Sequence, residues 1–337
     1  PSQLSLPILM TVVARLPSLD AVRTFQLVNR KCTDVLRAFK TNPVGLHPVT
    51  PALLALFPNV ETLAITVDDL VALPDATRFD RYAIVCTHDL SPVVAFAPRV
   101  VRLTLFHPTV ASLPPACTAS LASRPRPVLN LASFPALESL SITNAPGVAS
   151  LVAPSRLKTL RLAQCPDLAD ITALPRATSV LIYDCRSLTS LAPATLRSVV
   201  RLDVVRCTAL ETIAAASASD LAHLLISGCP TLTTVSLPRS LTCLELDDCS
   251  SLPELALPSS LQSLALFHLP ALTTLETHNL TALTLVSLPA LTTLPPTPTL
   301  VALTLWDCPS FVLTPADRVA LRTCVVNASM TQTTVLD

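Results

Sequence analysis

The cysteines have the most obvious potential for chemistry in this chain, because several of them recur at one position of a repeating pattern. That position holds six of the 11 cysteines: Cys165, Cys185, Cys207, Cys229, Cys249 and Cys308. Thiolates bind zinc and other soft metals, and neighbouring thiols can undergo redox chemistry. However, no two cysteines form a CxxC pair, and other copies of the pattern carry Ala145, Leu269 or Leu288 at this position. We therefore interpret the column as small buried apolar side chains, and we predict neither a metal nor a cofactor.

Histidine and acidic residues near another cysteine raise the question of catalysis. His223, Cys243, Glu245 and His268 fall in neighbouring copies of the pattern, where a cysteine and a histidine could form a dyad. A working dyad also needs a pocket and a group that stabilises an oxyanion. The carboxylates close to Glu245 could attract a cation, but one short segment supplies all of them. We keep an enzyme or metal site as a third hypothesis only, and we predict that the chain is not an enzyme.

Glycine content and net charge exclude several classes of function. Only Gly45, Gly147 and Gly228 occur, and they are too scattered for a phosphate-binding loop. The 23 basic residues balance 23 acidic residues, so we predict binding neither to nucleic acid nor to a membrane. No apolar run approaches the ~20 residues that span a bilayer. The odd number of cysteines and the lack of a secretory signal favour a reducing compartment, so we expect a cytoplasmic location, with the nucleus as the alternative.

From residue 57 onward, a pattern of about 20 residues recurs. It has the form L-x-x-L-x-L-x-x-C/L, followed by P-x-L-x-x-L. Twelve copies begin at residues 60, 79, 100, 137, 157, 177, 199, 221, 241, 261, 280 and 300, and a thirteenth strand is predicted near Leu321, Cys324 and Val326. All inward positions of the twelve copies are apolar, and none of the 32 prolines falls within their strand windows. Inner strands must exclude proline because it cannot donate a ladder hydrogen bond.

This pattern resembles the leucine-rich repeat and predicts an α/β solenoid. Each copy would add one short strand to a parallel β-sheet on the concave face, and neighbouring copies would bury its leucines. Copies of ~20 residues leave little room for helices, so we expect turns, 3₁₀ or polyproline II segments on the convex side. The step of 37 residues between Val100 and Leu137 breaks the period, and we interpret residues 109–133 as a degenerate repeat or a protruding loop.

Residues 4–40 have helical spacing and predict three short helices. Leu9, Val12, Val13 and Leu16 would share one face of the first helix, and Ser18 is a plausible N-cap of the second. The third helix would bury four apolar residues: Cys32, Val35, Leu36 and Phe39. We therefore divide the chain into a helical unit (1–43), a linker or cap (44–56) and the solenoid (57–337).

The helical unit resembles an F-box. The family pattern opens with Leu-Pro and an aliphatic helix, here Leu6-Pro7-Ile8-Leu9, and continues with a second Leu-Pro, here Leu16-Pro17-Ser18-Leu19-Asp20. It then leads to Val-x-[Arg/Lys]-x-[Trp/Cys], here Val28-Asn29-Arg30-Lys31-Cys32. The sequence departs from the family at Ile8, where glutamate is usual. The resemblance covers roughly forty residues.

The resemblance implies that the chain is a substrate receptor of a cullin-RING ubiquitin ligase. The helical unit would dock on a Skp-family adaptor, and the repeats would hold a protein substrate. The residues that would form or support the docking face are Leu6, Pro7, Ile8, Leu9, Leu16, Pro17, Leu19 and Val28. Six basic and two acidic residues in positions 1–40 suit an acidic partner, although a solvated helix face would show the same excess.

The outward positions of the predicted strands supply candidate residues for protein binding. One column would run from Thr66 and Val85 through Phe106 to Trp306, and the next position follows the strands. The candidates in and beside these columns are Phe106, Arg161, Tyr183, Asp184, Arg201, Arg206, Glu245, Asp247, Asp248, Phe267, His268, Trp306 and Asp307. Aromatic side chains flanked by charge are typical of binding hot spots. The basic residues precede the acidic ones, so we predict a dipolar groove.

Two hypotheses about function follow, in addition to the enzyme or metal site. In the first, the chain is an F-box-type substrate receptor. In the second, it is a stand-alone recognition scaffold, similar to the repeat region of plant-type immune receptors or to protist repeat proteins, and its N-terminal helices act only as a cap. In either case we expect a monomer outside its complex.

Overall fold

The computed structural model describes residues 5–43, 46–73, 79–87, 89–108, 113–119, 127–275, 279–292, 299–310 and 325–329. In these ranges the chain forms a small unit of three helices followed by a leucine-rich-repeat solenoid. The predicted fold class is confirmed. Leu321 and Cys324, expected in the last repeat, lie outside the described residues.

Each repeat contributes one strand to a 13-stranded parallel sheet on the concave face. Its strands are β1 (Thr62–Thr66), β2 (Arg81–Cys86), β3 (Val100–Phe106), β6 (Ser139–Thr143), β8 (Thr159–Ala163), β10 (Ser179–Tyr183), β12 (Arg201–Val205), β14 (His223–Ser227), β16 (Cys243–Asp247), β17 (Ser263–Phe267), β18 (Ala282–Val286), β19 (Ala302–Trp306) and β20 (Val325–Ser329). Equivalent apolar residues of neighbouring repeats lie side by side. For example, Leu160 pairs with Val180, and Leu162 pairs with Ile182. These side chains are buried, so each repeat supplies the core of its neighbours.

The convex side is more regular than the predicted turns, because it contains short parallel ladders. The strands are β4 (Thr118–Ala119), β5 (Val128–Asn130), β7 (Ser150–Val152), β9 (Asp170–Ile171), β11 (Ser190–Leu191), β13 (Thr212–Ala214) and β15 (Thr234–Ser236). They form one sheet of four strands and one of three. Leu151, Ile171 and Ile213 point into the core from these ladders. The second half of the sequence pattern, P-x-L-x-x-L, therefore forms a second wall of the solenoid.

Seven α-helices lie in the described residues, and the first three form the N-terminal unit. They are α1 (Leu6–Ala14), α2 (Leu19–Val28), α3 (Arg30–Arg37), α4 (Pro51–Leu56), α5 (Val67–Ala72), α6 (Ser91–Val94) and α7 (Pro193–Leu196). Ser18 caps α2 as predicted, because its Oγ accepts a hydrogen bond from the Ala21 N–H at 3.2 Å. Val12, which we expected on the buried face of α1, is exposed. Leu9 and Val13 are one helical turn apart and define that face, so Val12 points to one side of it.

The helical unit joins the solenoid through a closed sheet edge. The Lys40 carbonyl accepts hydrogen bonds from the N–H groups of Glu61 and Thr62. Beyond it, the buried Asn42 side chain acts as one more strand residue: its Nδ2 donates to the Ala64 carbonyl, and its Oδ1 accepts from the Ala64 N–H, both at 2.7 Å. The segment predicted as a linker or cap contains α4, whose Leu53 and Leu54 are buried. The division at residues 43 and 56 remains a prediction.

The solenoid is irregular around β2 and β3. The register shifts between Tyr82 and Ala83, so Val85 lies opposite Thr104 and not opposite Phe106. The predicted column is therefore wrong at this point. Strand β3 pairs directly with β6, which leaves no place for a repeat between them. In its described parts, residues 113–119 and 127–133, the irregular segment contributes an antiparallel pair, β4 with β5, at the end of a convex ladder. It is a convex connection and not a degenerate repeat.

Candidate functional site

The concave face carries the predicted recognition residues, because alternate residues of each strand point away from the core. Phe106 and Trp306 are the aromatic side chains exposed most in the predicted column, at 37% and 56%. Tyr183 and Phe267 are half-buried. The column is continuous from Phe106 to Trp306, since each last strand residue pairs with the next.

The four aromatic residues do not form one patch. Three strand steps separate Phe106 from Tyr183, and four more separate Tyr183 from Phe267. Each step is about 4.8 Å. Phe267 and Trp306 are only two strands apart, and Val286 lies between them. Phe267, Val286 and Trp306 therefore form one contiguous strip, which we call the apolar row.

The position that follows most strands has an unusual backbone conformation. Its φ angle is positive, between 49° and 57°, in nine residues: His107, Asn144, Gln164, Asp184, Arg206, Asp248, His268, Ser287 and Asp307. Each N–H that the ladder shows here donates to a carbonyl in the next strand, as Asp184 does to Val205 at 2.8 Å. Asparagine and aspartate tolerate this left-handed region best. The turn fixes the side chains along one rim of the concave face, and the repeat pattern did not reveal it.

Local ion pairs involve two of the predicted residues at the basic end of the groove. Arg201 Nε lies 3.0 Å from Asp203 Oδ2 on its own strand. Asp184, a predicted binding residue, pairs with Arg186 at 2.7 Å. Neither partner, Asp203 nor Arg186, was predicted. Asp203 could have been, because it is the next outward residue after Arg201 on the same strand. The positive end of the predicted dipolar groove is therefore reduced by one residue, and the other two remain.

Arg161 and Arg206 are the predicted basic residues that remain available on this face. Both side chains are exposed. Arg206 Nη1 donates a hydrogen bond to the Tyr183 hydroxyl at 3.3 Å, which holds the guanidinium beside the ring. Their parent strands β8 and β12 are two steps apart in the sheet, with β10 between them, so the two side chains occupy separate positions and not one patch.

The acidic end keeps more of its charge. Asp247 accepts a hydrogen bond from Ser227 Oγ at 3.0 Å and contacts His268 Nδ1 at 2.9 Å. Asp307 accepts a hydrogen bond from Ser287 Oγ at 3.0 Å. Asp248 is exposed and Glu245 is half-buried. Because hydroxyl donors leave a carboxylate charged, this end of the face is negative.

The side chains considered for catalysis lie close together without forming a reactive group. His223 and Cys243 are direct register partners, but no hydrogen bond joins them in the described structure. Ser227, Asp247 and His268 form a chain of contacts with the aspartate in the middle, so the hydroxyl does not touch the imidazole that would activate it. Within the described ranges, no three His, Cys, Asp or Glu residues are grouped so that they could hold a metal ion.

The cysteine column packs against the core, as predicted. The thiols of Cys207 and Cys249 donate to carbonyls two residues earlier in the chain, at 3.7 and 3.5 Å. Burial raises the pKa of both thiols to about 12 and that of Cys229 to about 11. The neighbouring Cys165 thiol, and after it burial, raise the pKa of Cys185. Such thiols remain protonated near neutral pH and are poor nucleophiles.

The predicted docking residues of the helical unit divide between its surface and its core. Leu6, Pro7, Ile8, Pro17 and Val28 are exposed, whereas Leu16 and Leu19 are half-buried. Leu9 is buried, so of the two predicted roles it can only support the docking face from within.

Leu27, which we did not predict as a docking residue, is the most exposed large hydrophobic side chain described, at 84%. It is the penultimate residue of α2. In the described ranges, no helix is both long enough and apolar enough to cross a membrane.

Comparisons with known proteins agree with a leucine-rich-repeat fold and go no further. No protein-family model and no curated protein matches the chain. An internalin from Listeria monocytogenes is 13% identical, with a TM-score of 0.33, over 96% of this chain and 98% of its own. A leucine-rich cell surface protein from Faecalibacterium prausnitzii is 9% identical, with a TM-score of 0.26, over 79% and 83%. A leucine-rich-repeat protein from Leptospira interrogans is 14% identical, with a TM-score of 0.25, over 88% and 98%. These TM-scores are too low to carry an argument, so the fold assignment rests on the strand pairing described above.

Proposed function

We propose that the chain is a protein-recognition adaptor of the F-box type, whose helical unit docks on a Skp-family adaptor while the repeats hold a substrate protein. The observation that carries this proposal is the exposure of apolar side chains on α1 and α2. Ten large hydrophobic side chains are exposed in the described residues, and five of them lie here: Leu6, Ile8, Val12, Leu27 and Val28. Apolar surface grouped in this way is typical of an interaction site.

Charge supports the same proposal. The exposed basic residues Arg15, Arg30 and Lys31 lie in the same helical unit. Arg23 and Arg37 are paired with Asp20 and Asp34, but both of these ion pairs are exposed and therefore weak. An acidic partner would be attracted to this surface.

A second candidate function is a stand-alone recognition scaffold in which the helices only cap the solenoid. The burial of Leu9, Val13 and Leu36 in the same core as the repeats favours it. So do the hydrogen bonds of Asn42 with Ala64. Capping by itself does not exclude docking on an adaptor, because the residues that cap the solenoid are buried and the exposed apolar residues lie on the other faces of the helices.

The experiment that tests the proposal is capture of the full chain on an immobilised Skp-family adaptor. Ile8→Asp and Val28→Asp each place a charge on the exposed apolar face, where the side chains are 50% and 60% exposed. We expect each variant to lose at least tenfold in affinity. Val71→Asp is the matched control, because Val71 is 69% exposed but lies on α5, outside the helical unit.

Capture of the wild type and of Val71→Asp, but not of Ile8→Asp or Val28→Asp, would support adaptor docking. If the folded wild-type chain is not captured, or if all four proteins are captured equally, the F-box-type proposal fails. The capping function alone would then account for the helices.

A further inference from the structure

The neutral net charge of the chain hides a strong division along its length. Residues 1–206 contain 20 basic and 13 acidic residues. Residues 207–310 contain eight acidic residues and a single basic one, Arg239. Strands β14 to β19 carry no lysine or arginine at all. On the concave face itself, the carboxylates of this part are those of Glu245, Asp247, Asp248 and Asp307, and we call this region the acidic surface.

The apolar row lies within this acidic surface. Asp247 is the direct register neighbour of Phe267, and Phe267 leads through Val286 to Trp306. Asp248 and Asp307 follow strands β16 and β19 at the rim, both with positive φ values, of 49° and 52°. Trp306 is the only tryptophan in the chain and remains 56% exposed. Such an exposed aromatic strip is favourable only if a partner covers it.

We propose that strands β16 to β19 bind an extended segment of another protein in which an apolar side chain is flanked by lysine or arginine. The apolar side chain would pack on the row, and the basic groups would pair with the carboxylates of Asp247, Asp248 and Asp307. This inference rests on the proposed function in one respect: both take the repeats as the surface that binds another protein. Beyond that, the inference specifies the chemical class of the bound segment.

The neighbouring outward positions leave room for a peptide backbone beside the row. They hold small side chains: Ser263, Ala265, Ala282, Thr284, Ala302 and Thr304. A narrow segment can therefore reach the sheet surface next to the row. The other candidate occupant is a second copy of this chain, attracted through its basic part. We commit to the peptide, because the small side chains beside the row fit a narrow extended segment, whereas Arg161 and Arg206 of a second copy lie on a concave face and cannot enter another one. The helical unit of a second copy also exposes basic residues, and the dimer test below distinguishes that occupant.

The test uses the full chain and an array of labelled 12-residue peptides. In one set, a central leucine, phenylalanine or tryptophan is flanked by a total of two to four lysines or arginines. In the matched set, glutamate replaces every basic residue. We expect peptides of the basic set to bind in fluorescence anisotropy and the glutamate set not to bind. Binding of the basic peptides should weaken steeply with salt.

Three variants locate the site. Trp306→Ala should weaken binding of the basic peptides at least tenfold, and Asp247→Asn combined with Asp248→Asn should weaken it and reduce its dependence on salt. Val200→Ala is the control, because Val200 is an exposed apolar side chain (39%) that directly precedes β12, away from the apolar row, and it should leave binding unchanged.

Three results would overturn the proposal. The first is equal binding of both peptide sets or binding of neither. The second is unchanged binding to Trp306→Ala. The third is a concentration-dependent dimer in mass photometry that Trp306→Ala abolishes, since a second copy would then be the occupant. None of these strands belongs to the helical unit, so adaptor capture and peptide binding can fail independently.

Discussion

Asn42 shows how one side chain can end a repeat array. It is buried, and both of its polar groups bond to the backbone of Ala64, so it satisfies the first strand of the sheet where another strand would otherwise be required. This role of Asn42 could not be predicted from the sequence, because Ala64 lies 22 residues away and no spacing rule connects the two.

We predict that Asn42→Ala lowers the free energy of unfolding by about 2–4 kcal/mol, because it leaves a buried N–H and a buried C=O of Ala64 without partners. Urea denaturation measures the change. Asn59→Ala is the control, since the Asn59 amide also bonds to a backbone carbonyl, that of Arg37, but in an exposed position. It should cost less than about 1 kcal/mol. Equal losses in the two variants would contradict the assigned role of Asn42.

The cysteine column makes a second prediction at the residue scale, concerning pH. Burial raises the pKa of Cys207 and Cys249 from an ordinary value near 9 to about 12, and that of Cys229 to about 11. The unfolded chain therefore loses these protons at a lower pH than the folded chain. Their contribution to stability is complete below pH 9 and is lost as the pH rises towards 12, with a slope of up to about 1.4 kcal/mol per pH unit for each thiol.

The measurement is urea denaturation at several pH values, compared with a variant in which Cys207, Cys229 and Cys249 are alanine. The variant is expected to be less stable at pH 8, because the substitutions leave small cavities. Above pH 9, however, its stability should fall less steeply than that of the wild type. Parallel curves would show that these thiols are not protected from ionisation by burial.

At the scale of elements, the strands and helices could be predicted, whereas the contacts between them could not. The apolar spacing of Leu160 and Leu162 sets the inward face of a strand whatever its neighbours are. The pairing of Arg201 with Asp203, in contrast, depends on rotamers and not on the period. The register shift between Tyr82 and Ala83 could not be predicted either. Tyr82, Ile84 and Cys86 are all inward, so a shift of two residues against the next strand still places apolar residues opposite each other.

The left-handed turn recurs after most strands of the concave sheet without a fixed residue type. At Gly228, φ is +64°, and an added Cβ would lie 3.3 Å from the flexible Cγ of Arg206. We expect Gly228→Asn to change the free energy of unfolding by less than about 1 kcal/mol, because asparagine tolerates this region. Gly228→Val should cost about 1–3 kcal/mol, since a β-branched residue does not tolerate it. Thermal unfolding of both variants checks the order, and a valine variant as stable as the asparagine variant would contradict it.

At the scale of the whole molecule, the chain has two candidate binding surfaces, on the helical unit and on the concave face. The first could be predicted from the sequence better than the second. The resemblance at Leu6, Ile8 and Val28 located side chains that are exposed. The concave face was located correctly as a surface, but its aromatic residues were expected to act together, and only Phe267 and Trp306 are near neighbours. Distance along a solenoid depends on the number of strands between two residues, which a column of equivalent positions does not convey.

The central claim is that the helical unit and the acidic part of the concave face recognise different partners independently. The most direct measurement is isothermal titration of the wild type, Ile8→Asp and Trp306→Ala, each with a Skp-family adaptor and with a basic peptide from the array. The account predicts that Ile8→Asp loses only the adaptor, that Trp306→Ala loses only the peptide, and that the wild type binds both at once. If either variant loses both partners while remaining folded, or if each variant binds both partners as the wild type does, the claim of two independent surfaces is wrong.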